Sequence, residues 1–217
     1  MPNKFYFCFD PADFSRVAPL QSKLLDSNEY DMTTAPLSEA DILVVWIGKH
    51  TFEEETCLLE IRKGFEEKKA HLAVYLDNAA DVVADGKTRL GKNPYDLFYL
   101  EYKNKEISLK EGAIVIPGKL KSRFSSTEIK AKASDFVGLY DYVKDNGGKN
   151  MAGWMQTEIQ KKKDFFAECK NITPKDWDNV IRLTAKGSRK ISGMFLYYYW
   201  ANKEEINPKK EKQENGI

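Results

Sequence analysis

The stretch ILVVWIGKHTFEEETCLLEI, residues 42–61, decides how the rest of the chain is read. Ile42 to Ile47 are apolar without interruption, and most of them are β-branched or aromatic. A continuous run of that length predicts a strand buried on both faces, as in the interior of a parallel sheet. Gly48 ends it, and Thr51-Phe52-Glu53-Glu54 has the form of a capping box. That pattern predicts a helix from Thr51 to about Lys69. Leu72 to Leu76 is apolar again and predicts the next strand. Strand, helix and strand in this order form the crossover unit of a parallel sheet.

Working outward, Phe5 to Phe9 reads as a short buried strand that stops at Asp10-Pro11. Asp10 suits a cap, Pro11 the first helical position and Asp13 the positive helix end. The helix that follows runs to about Asp26, with a kink or break expected at Pro19. Residues 28–37 show no pattern. Downstream, Asp85-Gly86 and Asn93-Pro94 mark loops, Tyr99 to Leu109 reads as a hairpin, and Ala113 to Ile116 as a further strand. Ser134 to about Lys144 is expected to be helical and to close at Asn146-Gly147-Gly148. A second helical zone runs from Trp154 to Cys169.

Thr173-Pro174-Lys175-Asp176 opens a last helix. Along it Trp177, Ile181, Thr184, Ser188, Ile191, Phe195 and Tyr198 recur at spacings of three or four. The Tyr197-Tyr198-Tyr199-Trp200 run is too wide for one helix face, so some of it must pack elsewhere or be exposed, and a subunit or domain contact is favoured over plain core. From Asn202 the chain is rich in Lys, Glu and Asn and reads as a disordered tail. The expected division is a main α/β domain over 1–156, a helical C-terminal extension over 157–203 and a tail over 204–217.

Composition narrows the function classes. A formal net charge of +1 over 217 residues gives no field that would favour nucleic acid or an anionic membrane. Three cysteines, Cys8, Cys57 and Cys169, make no disulfide framework and suit a reducing compartment. No apolar run approaches the ~20 residues that span a bilayer. The N-terminus lacks the apolar core of a signal peptide, so a cytoplasmic location is expected.

The chemistry-bearing motifs are few. There is no Walker loop and no Gly-x-Gly-x-x-Gly fingerprint. His50 and His71 are the only histidines, and no pair of His or Cys stands at metal-ligand spacing, so no metal site is expected. No nucleophile elbow is framed. What remains is position. Doubly wound sheets bind ligands where strand C-termini feed into loops, which here means Cys8-Phe9-Asp10 and Ile47 to Thr51. In the following helix Cys57, Leu58, Ile61 and Phe65 form the apolar face, with Glu60 at its margin. A carboxylate so placed can look into the cleft, or stand as a solvated charge among Glu53, Glu54, Glu55, Glu66 and Glu67. Cys8 can line the cleft or be a buried small hydrophobe.

Residues 42–61 also resemble the TIR-like family of the bacterial Thoeris antiphage defence system, in which a buried strand ends in an Ile-Gly turn before a Thr-Phe helix start and a glutamate followed by Ile. Three more pieces agree in order. KFYFCFD, residues 4–10, is similar to the family's first strand, with Cys8 in place of a serine. KNPYDLFYLEY, residues 92–102, resembles its Asn-Pro-aromatic-Asp segment, and GLYDYVKDNGGKNMAGWM, residues 138–155, its closing helix and glycine loop. The resemblance covers about residues 4–156. The chain departs from the family pattern at Thr56, where a tryptophan is usual. It departs again over residues 10–41, where one helix leaves little room for a second strand and helix.

The resemblance implies a flavodoxin-like or TIR-like parallel sheet with flanking helices, plus the helical C-terminal extension. It implies an enzyme that takes NAD as substrate, with no further cofactor, and cleaves the nicotinamide–ribose bond. Some relatives cyclise the product to a cyclic ADP-ribose-type signal that activates an effector. Glu60 would be the catalytic group, and Cys8, Phe9, Asp10, Gly48 and Thr51 would line the cleft. A carboxylate there can hold ribose hydroxyls and stabilise an oxocarbenium-like transition state. The rival reading is a catalytically inactive nucleotide-binding or scaffold module that homo-oligomerises through its C-terminal helices. A third, a nucleoside deoxyribosyltransferase, shares the sheet and a glutamate, but the Asn-Pro and closing-helix matches weigh against it.

Overall fold

The computed structural model describes residues 3–26, 32–82, 88–112, 114, 128–187 and 189–207. In chain order the first half holds β1 (Asn3–Phe9), α1 (Phe14–Leu25), β2 (Met32–Thr34), β3 (Ile42–Ile47), α2 (Glu55–Glu66) and β4 (Ala70–Tyr75). Next come β5 (Ala80–Val82), β6 (Thr88–Leu90), β7 (Phe98–Lys103), β8 (Glu106–Glu111), β9 (Glu128–Lys132) and β10 (Gly138–Asp141). Four helices close the described chain: α3 (Met151–Cys169), α4 (Trp177–Gly187), α5 (Arg189–Ala201) and α6 (Lys203–Ile206).

Five strands form one parallel sheet in the order β10-β4-β3-β1-β2. Read along the chain, that is the 2-1-3-4-5 order of a flavodoxin-like fold. β3 lies at its centre and is buried over all six residues, as its uninterrupted apolar run requires. Its side chains divide by period two. Ile42, Val44 and Trp46 join α1 and α3 through Val17, Leu20, Leu24, Met151 and Met155. Leu43, Val45 and Ile47 join Cys57, Ile61 and Phe65 of α2.

The connection from β4 to β10 departs most from a simple alternation of strand and helix. It contains the β5–β6 hairpin and an antiparallel sheet in the order β8-β7-β9. Leu100, Tyr102, Ile107, Ile129 and Ala131 of that sheet share a core with α2 and α5. The C-terminal helices are therefore packed on the same core as the strands, and α3 runs continuously across residue 156.

Several sequence expectations are corrected here. The helix expected over Ser134 to Lys144 is instead a short 3-10 turn, Ala133–Asp135, followed by β10. Backbone pairing with β4 overrides local propensity there, since Gly138 to Asp141 complete the sheet against Leu72 to Tyr75. α1 passes through Pro19 without interruption, held to the sheet by Val17, Leu20 and Leu24. The patternless region contains β2, which pairs with Asn3 to Phe5, and a 3-10 turn, Leu37–Glu39, in place of a helix. The last helix is two, α4 and α5, packed on each other through Trp177 against Phe195 and Tyr198. The start of the expected tail contributes α6, and Asn207 donates to the Tyr199 hydroxyl at 2.7 Å, while residues 208–217 of that tail lie outside the described residues. The strand expected over Ala113 to Ile116, the Asp85-Gly86 loop and Ser188 lie outside the described residues, apart from Ile114.

The tyrosine run is core within the chain. Tyr197, Tyr198 and Tyr199 are buried, with Tyr198 stacked on Trp177 at 5.4 Å and Tyr199 edge-on to Tyr102 at 6.2 Å. They tie α5 to α4 and to the antiparallel sheet, which is a contact between parts of one chain.

His71 lies inside this core, stacked on Phe65 at 4.0 Å with Nδ1 3.0 Å from the Tyr95 hydroxyl. Burial, with a smaller contribution from the Lys162 charge, pushes its pKa down to about 3. An unfolded chain would titrate it near 6.5. Above that pH both states are neutral and the stability is fully present. As pH falls from 6.5 towards 3, only the unfolded state takes up the proton, so stability is lost across that window. Urea denaturation at pH 7 and pH 4.5 should show a larger loss for wild type than for His71→Gln. Equal losses would mean that His71 does not carry this dependence.

Candidate functional site

In a 2-1-3-4-5 sheet the chain reverses direction between β1 and β3, so their carboxyl ends frame the crevice where ligands bind. A buried acid occupies this place. Asp13 is 5% exposed, accepts from Asn78 Nδ2 at 2.6 Å and lies 3.9 Å from Arg16 Nε. Arg16 in turn donates to both oxygens of Asp77 at 2.8 and 2.9 Å, joining the end of β1 to the end of β4.

Gly48 is explained by the same acid. A Cβ built there would stand 1.7 Å from Asp13 Oδ2. Asp13 has little freedom to retreat, because it is buried and bonded to Asn78. Gly48→Ala is therefore expected to destabilise the fold by about 1–3 kcal/mol. In an Asp13→Ala background the penalty should shrink, giving a coupling of about 0.5–3 kcal/mol in a double-mutant cycle. Additive effects in denaturant melts would show that the two residues do not press on each other.

The other residues expected to line the cleft have local duties. Asp10 accepts from Ala12 N at 2.9 Å and caps the 3-10 turn Pro11–Asp13, so the α-helix itself begins only at Phe14. Thr51 Oγ1 accepts from Gly48 N at 2.8 Å and donates to the Trp46 carbonyl at 3.3 Å. Thr51 thus fixes the turn after β3 rather than starting a helix. The α2 cap is Glu54, whose side chain accepts from Thr56 N at 3.3 Å. Three more residues are brought to the crevice that sequence reading did not single out as site residues: Asp13, Arg16 and Asn78. Only the clustering of Asp10 and Asp13 around Pro11 hinted at it.

Cys8 and Phe9 are adjacent in sequence and face opposite sides of the sheet. Phe9 packs with the α1 layer, its ring 6.3 Å from Phe14, which is 62% exposed. Cys8 faces α2, is 1% exposed and lies 4.0 Å from the Cys57 carbonyl. The Cys57 side chain, then burial, then Glu60 push the Cys8 thiol far above its ordinary pKa. It is held as a neutral thiol, which suits packing rather than nucleophilic attack.

Glu60 is the half-buried acid of this second group. Its Oε1 accepts a short hydrogen bond from the Tyr6 hydroxyl on β1. Burial first, and Glu60 second, raise the Tyr6 phenol well above its usual value, so it stays a donor. Glu60 is thus turned inward against β1, one strand alternation from Cys8. Tyr6 and Asp10 are four residues apart, about 13 Å at strand rise. Glu60 and the Asp13 crevice are therefore two ends of one strip along β1. Among the described residues β2 covers only Asn3 to Phe5 of that strand. No three His, Cys, Asp or Glu side chains among the described residues are grouped to hold a metal.

The fold and this strip define a flavodoxin-like α/β protein with acidic groups along its first strand. Neither protein-family models nor curated proteins gave a match to the chain.

Proposed function

We propose that the protein is a TIR-like enzyme that cleaves NAD at the nicotinamide–ribose bond, in the cytoplasm, as the signalling component of an antiphage defence. The observation that carries this reading is the Glu60 carboxylate, positioned by Tyr6 beside Cys8 on the helix that follows the central strand. The ordered resemblance over residues 4–156 supports the same assignment.

In this reading the nicotinamide ribose of NAD lies at Glu60. The C1′–N bond breaks with its electron pair leaving on nicotinamide, which departs neutral. The ribosyl cation left behind is stabilised by the Glu60 carboxylate. Water then gives ADP-ribose and a proton, or an adenine nitrogen closes a cyclic product. The cyclic product would act on a separate effector.

The direct test is incubation of purified full-length protein with NAD, alone and with infected-cell lysate, followed by mass spectrometry of all products. Release of nicotinamide with ADP-ribose or its cyclic form supports the proposal. NAD that survives both conditions overturns it.

A further inference from the structure

At the opposite end of the sheet from the β1–β3 crevice, the amino ends of the strands border two cavities. The larger, about 470 Å³, is bounded by Asn3, Ile42 and Ala70 at the strand starts, with Ile159 and Phe166 of α3 and Tyr197 of α5. That volume falls in the range of about 300–1,000 Å³ typical of small-molecule sites. The smaller, about 280 Å³, lies beside the start of β10, between Val137, Trp154 and Met194. Lys162 lines both.

Lys162 is a half-buried amine with an incomplete set of partners. Its Nζ donates to the His71 carbonyl at 2.5 Å, which uses one of three ammonium protons. Among the described residues no carboxylate lies within ion-pair distance of it. Glu158, one turn earlier on the same helix, is paired with Lys161 at 2.8 Å. Desolvation pushes the Lys162 ammonium down to about 8, and the charge of Glu158 offsets this only in part. Desolvated charges in proteins are ordinarily paired, because leaving one alone is costly.

We propose that the larger cavity binds an amphipathic carboxylate, a single-chain fatty-acid-like molecule whose head group pairs with Lys162 and whose chain lies against Ile42, Ile159 and Phe166. The rim favours an anion. Lys68 and Lys163 border the same cavity, against a single acid, Asp41, which already accepts from Lys4 N at 3.1 Å. The walls favour a chain over a phosphate. Ile42, Ile159 and Phe166 give the cavity an apolar wall that a phosphate would leave unfilled, and the Tyr197 hydroxyl is already committed to the Lys69 carbonyl at 2.5 Å.

The test compares decanoate with decanol by isothermal titration calorimetry on the full chain. Decanoate is expected to bind at least tenfold more tightly than the neutral alcohol. Lys162→Met, which keeps the apolar stem, should bring decanoate to the alcohol's level. Lys161→Met, which alters only the neighbouring exposed cation, should change it less than twofold. No decanoate binding, equal affinity for acid and alcohol, or an unchanged Lys162→Met overturns the proposal. Displacement of decanoate by equimolar inorganic phosphate overturns it in favour of a phosphate ligand. Should Lys162→Met fail to fold, the wild-type ratio of acid to alcohol decides.

Discussion

Glu60→Gln is expected to lower nicotinamide release by about 10²–10³-fold while leaving the fold intact, the loss typical of removing one electrostatic stabiliser from a transition state. Glutamine keeps the volume of the side chain, and its amide oxygen can still accept from Tyr6. On the proposed function, what disappears is the negative charge that would face a ribosyl cation. Tyr6→Phe separates positioning from charge, because the carboxylate remains but loses the hydroxyl that orients it. A hydrogen bond to a charged group contributes about 1.5–3 kcal/mol, so a fall of about ten- to a hundredfold is expected. Steady-state NAD consumption, with thermal melts as the fold control, checks both. A Glu60→Gln enzyme within threefold of wild type would remove Glu60 from the chemistry.

Phe65→Ala should be the most damaging single change to stability, at about 3–5 kcal/mol. Phe65 is fully buried on α2, and its ring meets five others. It stacks on His71 and lies 5.8 to 6.3 Å from Phe98, Tyr95, Phe136 and Tyr197. Those rings belong to the parallel sheet, the antiparallel sheet with its flanking turns, and α5. Truncation leaves a cavity where the layers meet, and neighbours held in separate elements cannot all collapse into it. Leu59→Ala, on the same helix but 49% exposed, should cost under about 0.5 kcal/mol. Urea denaturation of the pair measures the contrast. A Phe65→Ala cost below about 1 kcal/mol would mean that the layers are held together elsewhere.

The contrast between Phe65 and Glu60 shows how far local pattern reaches. Phe65 sits at a helical repeat of Cys57 and Ile61, so its burial follows from periodicity. That it would bridge two sheets does not, because the antiparallel strands are far away in sequence. Glu60, at the margin of the same face, could be read either way until Tyr6 was seen to meet it across 54 residues. Gly48 reads as part of the cleft lining, yet the space beside it is taken by Asp13, a side chain 35 residues earlier.

The chain by itself determined the parallel centre of the fold: β1, β3 and β4, the helix between the last two, and the apolar faces that join them. Burial on both sides and helical repeats are written in adjacent residues, so they need no partner to be recognised. Tertiary structure alone decided that Gly138 to Asp141 form an edge strand, that the tyrosine run faces inward, and that no carboxylate among the described residues stands within ion-pair distance of Lys162. Each of these depends on which distant backbone or side chain arrives to supply a hydrogen bond, a packing surface or a counter-charge.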